Sequence, residues 1–182
     1  MTEWKAPFGI DYAPTSDQLS YHMDESRAKF AYGWAGSGKT HALLVEVAKR
    51  IETDKLRDVL IVSRNHHRSS DISEAYMGLF RHMTEAKKRD ALITKFIGGE
   101  CRITLSTAQT DHRGCEYDLV ALDECSIQLP RFKWLLISAN PQNIPDRDDL
   151  VRRFGMTKHD IGVPIAQELK MLSSLIGNWD TV

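Results

Sequence analysis

An α/β domain, with a mainly parallel five-stranded sheet flanked by helices, is the fold class the sequence predicts, and three observations predict it. Five short apolar runs recur between residues 28 and 138, each four to six residues long, the length of strands buried on both faces. Segments with helical apolar spacing or polar loops separate them, the alternation of a sheet covered by helices. A glycine-rich loop joins the first run to the first long helix. The 182 residues, 42% hydrophobic and 27% charged, suffice for one sizeable core and not for two full domains.

Taken in order, residues 1–27 form an entry arm. It carries Pro7, Gly9 and Pro14 and a helical candidate from Ser16 to about Arg27, N-capped by Thr15 or Ser16. Ala28–Gly33 is the first strand. Lys39–Ile51 follows as a helix with one buried stripe, Leu43, Leu44, Val47, Ala48 and Ile51. Val59–Ser63 is the second strand. The spacing of Ile72, Ala75, Tyr76, Leu79, Phe80 and Met83 predicts a helix over Ser70–Ala91, with Lys87, Lys88 and Arg89 complementing the dipole at its end. Arg102–Thr107, Leu119–Leu122 and Trp134–Ser138 complete the strands. From Asp148 the pattern predicts a short helix to about Phe154, a break from Gly155 to Pro164 and an amphipathic helix over Ile165–Ile176. The expected organisation is thus an arm (1–27), a core (28–145) and a helical C-terminal extension (146–182).

A formal net charge of −1 provides no global attraction for nucleic acid, so any such contact falls to local basic surface. Arg64, His66, His67 and Arg68, and in the tail Arg147, Arg152, Arg153 and Lys158, are available for it. Three cysteines, Cys101, Cys115 and Cys125, fit free thiols in a reducing compartment, and the histidines lack zinc-ligand spacing. No apolar signal segment opens the chain and no run approaches 18 apolar residues, so a cytoplasmic protein without a membrane span is expected.

The chemistry begins at Gly33-Trp34-Ala35-Gly36-Ser37-Gly38-Lys39-Thr40, which satisfies G-x-x-x-x-G-K-[ST]. Glycines let successive N–H groups turn onto phosphate oxygens while the following helix adds its positive N-terminus. Gly33, Gly36, Ser37, Gly38, Lys39 and Thr40 are therefore the expected cradle, with Lys39 reaching the β- and γ-phosphates of ATP and Thr40 holding Mg²⁺. The α/β domain becomes, on this evidence, a P-loop NTPase of the RecA-like (ASCE) kind. The strand Leu119–Leu122 ends in Asp123-Glu124, and such a strand tip puts one carboxylate on the metal shell and the next on the attacking water. Glu124 with Lys39 is the expected catalytic core and Asp123 with Thr40 the expected metal pair. A cation on the far side of the γ-phosphate is still needed. Arg113 is the candidate, on a segment expected at the same sheet edge; Arg64, Arg147, Arg152 and Arg153 are the other contenders. Ser138-Ala139-Asn140-Pro141 ends the fifth strand beside the nucleotide.

Together these residues resemble the ATPase domain of large terminase subunits, the motors that package DNA into phage heads. The resemblance runs over roughly residues 15–145. It rests on Gln18 upstream of the loop, Ala31-Tyr32-Gly33 leading into Ala35–Thr40, Val62-Ser63-Arg64 followed by Ser69–Phe80, Arg113-Gly114 ahead of the acid strand, Asp123-Glu124-Cys125, and Ser138–Pro141. It implies that Gln18 and the arm approach the adenine, that Arg113 is an arginine finger acting on a neighbouring subunit's nucleotide, and that Asn140 couples hydrolysis to movement. It also implies double-stranded DNA as substrate, the portal and small terminase subunit as partners, and a homo-oligomeric ring. The chain departs from the pattern in three ways. Only residues 125–137, 13 in all, separate Glu124 from Ser138; no arginine stands at the loop's four variable positions; and there is no room for a nuclease domain. The other readings are a superfamily-one helicase lobe, which shares Gly36–Thr40 and Asp123–Ser126, and an interaction module that ATP binding orders and that turns over slowly.

Overall fold

The computed structural model describes residues 4–88, 90–140 and 147–162. A 3₁₀ turn (Pro7–Gly9) leads to α1 (Ser16–Met23), β1 (Ala28–Tyr32), α2 (Lys39–Asp54), β2 (Asp58–Ser63), α3 (His66–Phe80), β3 (Thr84–Lys88), β4 (Ala91–Phe96), β5 (Gly99–Thr107), β6 (Glu116–Asp123), β7 (Arg131–Ala139), α4 (Arg147–Phe154) and β8 (Thr157–Asp160). The expected helix Ile165–Ile176 lies outside the described residues, as do Arg89 and Pro141.

The described strands form one sheet in the order β3-β4-β5-β2-β6-β7-β1-β8. The five runs legible in the sequence are its contiguous centre, β5-β2-β6-β7-β1, and every pairing among them is parallel. Alternate residues of these strands face opposite ways. Val59, Ile61, Ile103, Leu119 and Ala121 pack under α2 and α3, while Leu60, Val62, Val120, Leu122, Leu135 and Ile137 pack on the other face with Leu150 and Phe154 of α4. Both faces are covered, which is why these runs are continuously apolar. β7 lies between β1 and β6, and Ser138 is in register with Ala31 on one side and Asp123 on the other. The loop after β1 and the acids ending β6 therefore emerge at one edge of the sheet.

Three strands are additional to the five expected. The helix predicted over Ser70–Ala91 starts earlier and ends at Phe80, and residues 84–96 form the antiparallel hairpin β3–β4 on the edge of β5. The reason is local. Thr84 and Thr94 are buried cross-strand, their hydroxyls 3.1 Å apart, and Thr94 Oγ1 donates to Tyr76 Oη at 3.2 Å. β-branched residues bury well on a pleated surface and poorly on a helix. Lys87 and Lys88 thus belong to an edge strand and not to a helix end, and lysine on such an edge discourages further pairing. The break expected from Gly155 contains β8, which pairs with β1 in parallel.

The arm is held by buried charge. Glu46 of α2 and Lys29 of β1 are both inaccessible to solvent and pair at 2.6 Å. Glu46 also accepts from Arg50 Nε at 3.0 Å and from His22 Nδ1 at 2.9 Å, while Lys29 Nζ donates to the carbonyls of Tyr21 and Asp24 at 2.9 and 2.8 Å. One carboxylate thereby joins α1, β1 and α2. Burial alone would raise its pKa; the His22 hydrogen bond and the charge of Lys29 outweigh that and hold it at about 2. Removing one member of a buried pair strands its partner's charge. Glu46→Ala is therefore expected to cost about 3–5 kcal/mol in denaturant unfolding. Because the folded pKa is depressed below the ordinary 4.5, Glu46 stabilises fully above about 4.5 and progressively less as the pH falls toward about 2. The acid limb of the stability–pH profile should flatten in the variant, and an unchanged limb would contradict this role.

Candidate nucleotide-binding site

The site is built where β1, β6 and β7 end. Gly38 takes φ 85° as the N-cap of α2, and the first helical bond, Ala42 N–H to Gly38 O, follows at 2.9 Å. A Cβ on Gly38 would stand 2.7 Å from Gln18 Nε2, and one on Gly33 would stand 2.4 Å from the carbonyl oxygen of Ile161. Gly33 must therefore be bare for the segment after β8 to close on the loop, whereas a Cβ at Gly38 would push the end of Gln18 aside. Lys39 Nζ donates to the Trp34 carbonyl at 2.8 Å across the loop and lies 3.8 Å from Glu124 Oε1. Burial lowers the Lys39 pKa, and the charges of Glu124 and Asp123 oppose that shift.

Asp123 is fully buried at the tip of β6. Its Oδ1 accepts from Thr40 Oγ1 and Ser138 Oγ, each at 2.7 Å, and its Oδ2 accepts from Arg68 Nε at 2.9 Å. Arg68 Nη2 also donates to Thr40 Oγ1 at 2.7 Å. Glu124 follows with φ 54°, a left-handed conformation costing a non-glycine residue about 1–2 kcal/mol. Its N–H is fixed by Ser138 O at 2.8 Å, and both its carboxylate oxygens accept from Asn140 N–H at 3.0 Å. These bonds turn the glutamate into a cavity of about 540 Å³ lined by Ala35, Gly36, Gly38, Lys39, Thr40, His41, Arg68 and Asp71, a size suited to a nucleotide. Among the described residues no group of three or more His, Cys, Asp or Glu forms a metal cluster. The Thr40 hydroxyl and Asp123 carboxylate are hard oxygen donors, the donor set with which proteins hold Mg²⁺ when phosphate and water complete its shell. The residues present fit that ion.

The structure thus brings together Gly33, Gly36, Ser37, Gly38, Lys39, Thr40, Asp123, Glu124 and Asn140. Gln18 joins them: its Oε1 accepts from Thr15 N–H at 3.0 Å in a capping box and from Tyr12 Oη at 3.2 Å, which leaves Nε2 against Gly38. Arg113 does not join them. It is exposed, bound to Asp111 at 2.6–3.0 Å, and lines a separate cleft with Ile127, Leu129 and Phe154, residues of the sheet face opposite α2 and α3. The sheet edge expected for Arg113 is corrected accordingly. The eight residues after β5 do not stay at the loop's edge, since β6 starts at Glu116, paired with Arg131 at the start of β7.

Neither a protein-family model nor a curated protein matches the sequence. Solved structures do match. The ATPase domain of the Thermus phage P74-26 large terminase superposes with a TM-score of 0.55 at 16% identity, covering 72% of this chain and 66% of that one. The large terminase of a second thermophilic bacteriophage superposes at 0.65 and 12% identity, covering 82% of this chain and 46% of that one. The same protein in complex with ATP-γ-S gives 0.61 and 13%, with 80% and 44% covered. The likeness is one of fold. This chain spans about two thirds of the isolated terminase ATPase domain and less than half of the longer terminase chain.

Three site residues escape a reading of the sequence. Arg68 groups there with basic surface, although Asn65 caps α3 by accepting from Arg68 N–H at 2.9 Å; an asparagine before a helical stripe is a start signal that places Arg68 in the first turn. Tyr12 and His41 stack at 5.2 Å beside the loop, and no spacing rule links them. Gly36→Ala and Gly38→Ala should each cost about 1–2 kcal/mol of stability through positive φ. Only Gly38→Ala should also displace Gln18, because a Cβ at Gly36 meets open space. In a denaturation double-mutant cycle, Gln18→Ala is therefore expected to couple to Gly38→Ala and not to Gly36→Ala.

Proposed function

We propose that the chain is a Mg²⁺-dependent ATPase whose turnover drives translocation of double-stranded DNA, as the motor part of a viral genome-packaging machine. The observation that carries the ATPase reading is the convergence of Lys39, Thr40 and Glu124 on one nucleotide-sized cavity behind a glycine loop, with the buried Asp123 bonded to Thr40 behind the cavity wall. In this reading Gly33–Thr40 cradles the phosphates and Lys39, held near the loop by Trp34, binds the terminal ones. Thr40 and Asp123 would hold Mg²⁺, which when bound supplies charge neutralisation of the phosphate oxygens. Glu124 takes the proton of the attacking water, and its strained backbone and paired Asn140 N–H bonds aim it. Asn140, tied to that carboxylate, is the residue through which hydrolysis is coupled to movement. Gln18, with the arm of residues 1–27, contacts the adenine.

The motor half of the proposal is supported by the fold shared with large terminases, one of which was solved with ATP-γ-S. With it come double-stranded DNA as substrate and the portal and small terminase subunit as partners. A ring of identical subunits would give Arg113 a role on the neighbour's nucleotide, in keeping with its exposure and its place in a cleft separate from its own site. In phosphate-release and fluorescent-nucleotide assays, Lys39→Ala should lose both binding and turnover. Glu124→Gln should retain binding and lose turnover by about 100-fold or more. Full activity in Glu124→Gln would remove the assigned base.

A further inference from the structure

We infer that Arg68 and the metal compete for the same two oxygens, and that Arg68 leaves them for the terminal phosphate when a metal–nucleoside triphosphate enters, making it the cation that the loop lacks. The inference rests on the ATPase reading.

Arg68 bridges the two groups that would hold the ion, with Nε 2.9 Å from Asp123 Oδ2 and Nη2 2.7 Å from Thr40 Oγ1. Thr40 spends its one hydroxyl proton on Asp123 Oδ1, so it meets Arg68 through a lone pair. A metal ion seated on the same hydroxyl and carboxylate oxygens would meet the guanidinium's like charge and bulk at contact distance. Guanidinium and metal therefore exclude one another. Asp123 is fully buried, and among the described residues Arg68 is its one ion-pair partner. A buried carboxylate stripped of its paired charge is costly, so parting the pair is unfavourable until another cation arrives, and an arriving metal would offset that cost. The displaced guanidinium has a place to go. Arg68 lines the same cavity as Gly36, Lys39 and Glu124, its side chain is 39% exposed against 5% for Lys39, and it is anchored in the first turn of α3 by the Asn65 cap. No arginine stands among Trp34–Ser37. Among the described residues Arg68 is the one arginine lining this cavity, and a planar fork suits phosphate oxygens. Thr40 and Asp123 would be free to hold the metal only as Arg68 is released, which would couple their release to the arrival of Arg68 at the phosphate.

Mn²⁺ binding to the full chain without nucleotide, followed by electron paramagnetic resonance, reads the competition apart from catalysis. Arg68→Ala should bind Mn²⁺ about tenfold or more tightly than the unaltered protein, while its ATP turnover falls about 100-fold. Arg68→Lys, which keeps the charge without the fork, should leave Mn²⁺ affinity near that of the unaltered protein and still lose turnover. It also serves should the alanine variant fail to fold, in which case unchanged turnover in Arg68→Lys overturns the inference. Unchanged Mn²⁺ affinity in a folded Arg68→Ala would overturn it as well, with the ATPase reading intact if the unaltered protein hydrolyses ATP. Absence of nucleotide binding by the unaltered protein would overturn both.

Discussion

A carboxylate removed from water must find its compensation inside the protein, and Asp123 is such a carboxylate. Its three donors, Thr40, Ser138 and Arg68, come from α2, β7 and α3, so satisfying one buried charge fixes where the loop helix, the intervening strand and the neighbouring helix end relative to one another. The strand order contributes to this. With β7 between β1 and β6, Ser138 is level with both the loop strand and the acid, and the distance from loop to carboxylate is set by two strand spacings and one threonine. Burial also makes the pairing consequential, because stranding Asp123 without Arg68 would leave a charge out of water poorly compensated.

The same logic operates a few turns along α2. Glu46 is equally buried, is balanced by Lys29 and Arg50 and accepts a hydrogen bond from His22, and these bonds fasten β1 and the N-terminal arm to the middle of the helix whose first residues end the glycine loop. α2 is thus tied at its start to the acid strand and at its centre to the arm. The approach of Gln18 to Gly38 depends on both ties.

Much of this is legible without the structure. The loop, the acid pair and the five central strands follow from apolar runs of strand length and from glycine spacing, because a strand buried on both faces has little freedom in composition. The first part of the hairpin, residues 84–91, reads as helix because Met83 prolongs an apolar stripe, while the signal against it, two threonines that find each other across strands, is a pairing and not a period. Arg113 is misplaced by its distance along the chain from the acid strand, since chain distance does not reveal which face of a sheet a loop crosses. Arg68 is hidden for the opposite reason: an arginine among histidines and serines reads as solvated surface until its helix start, set by Asn65, turns it toward a carboxylate 55 residues further along the chain.

Under the proposed function this cavity hydrolyses ATP to move double-stranded DNA. The most direct measurement is the steady-state rate of phosphate release by the purified chain in Mg²⁺, alone and with double- or single-stranded DNA. The account predicts a slow basal rate that double-stranded DNA raises and single strands do not. A rate indifferent to duplex DNA, or stimulated by single strands alone, would contradict it.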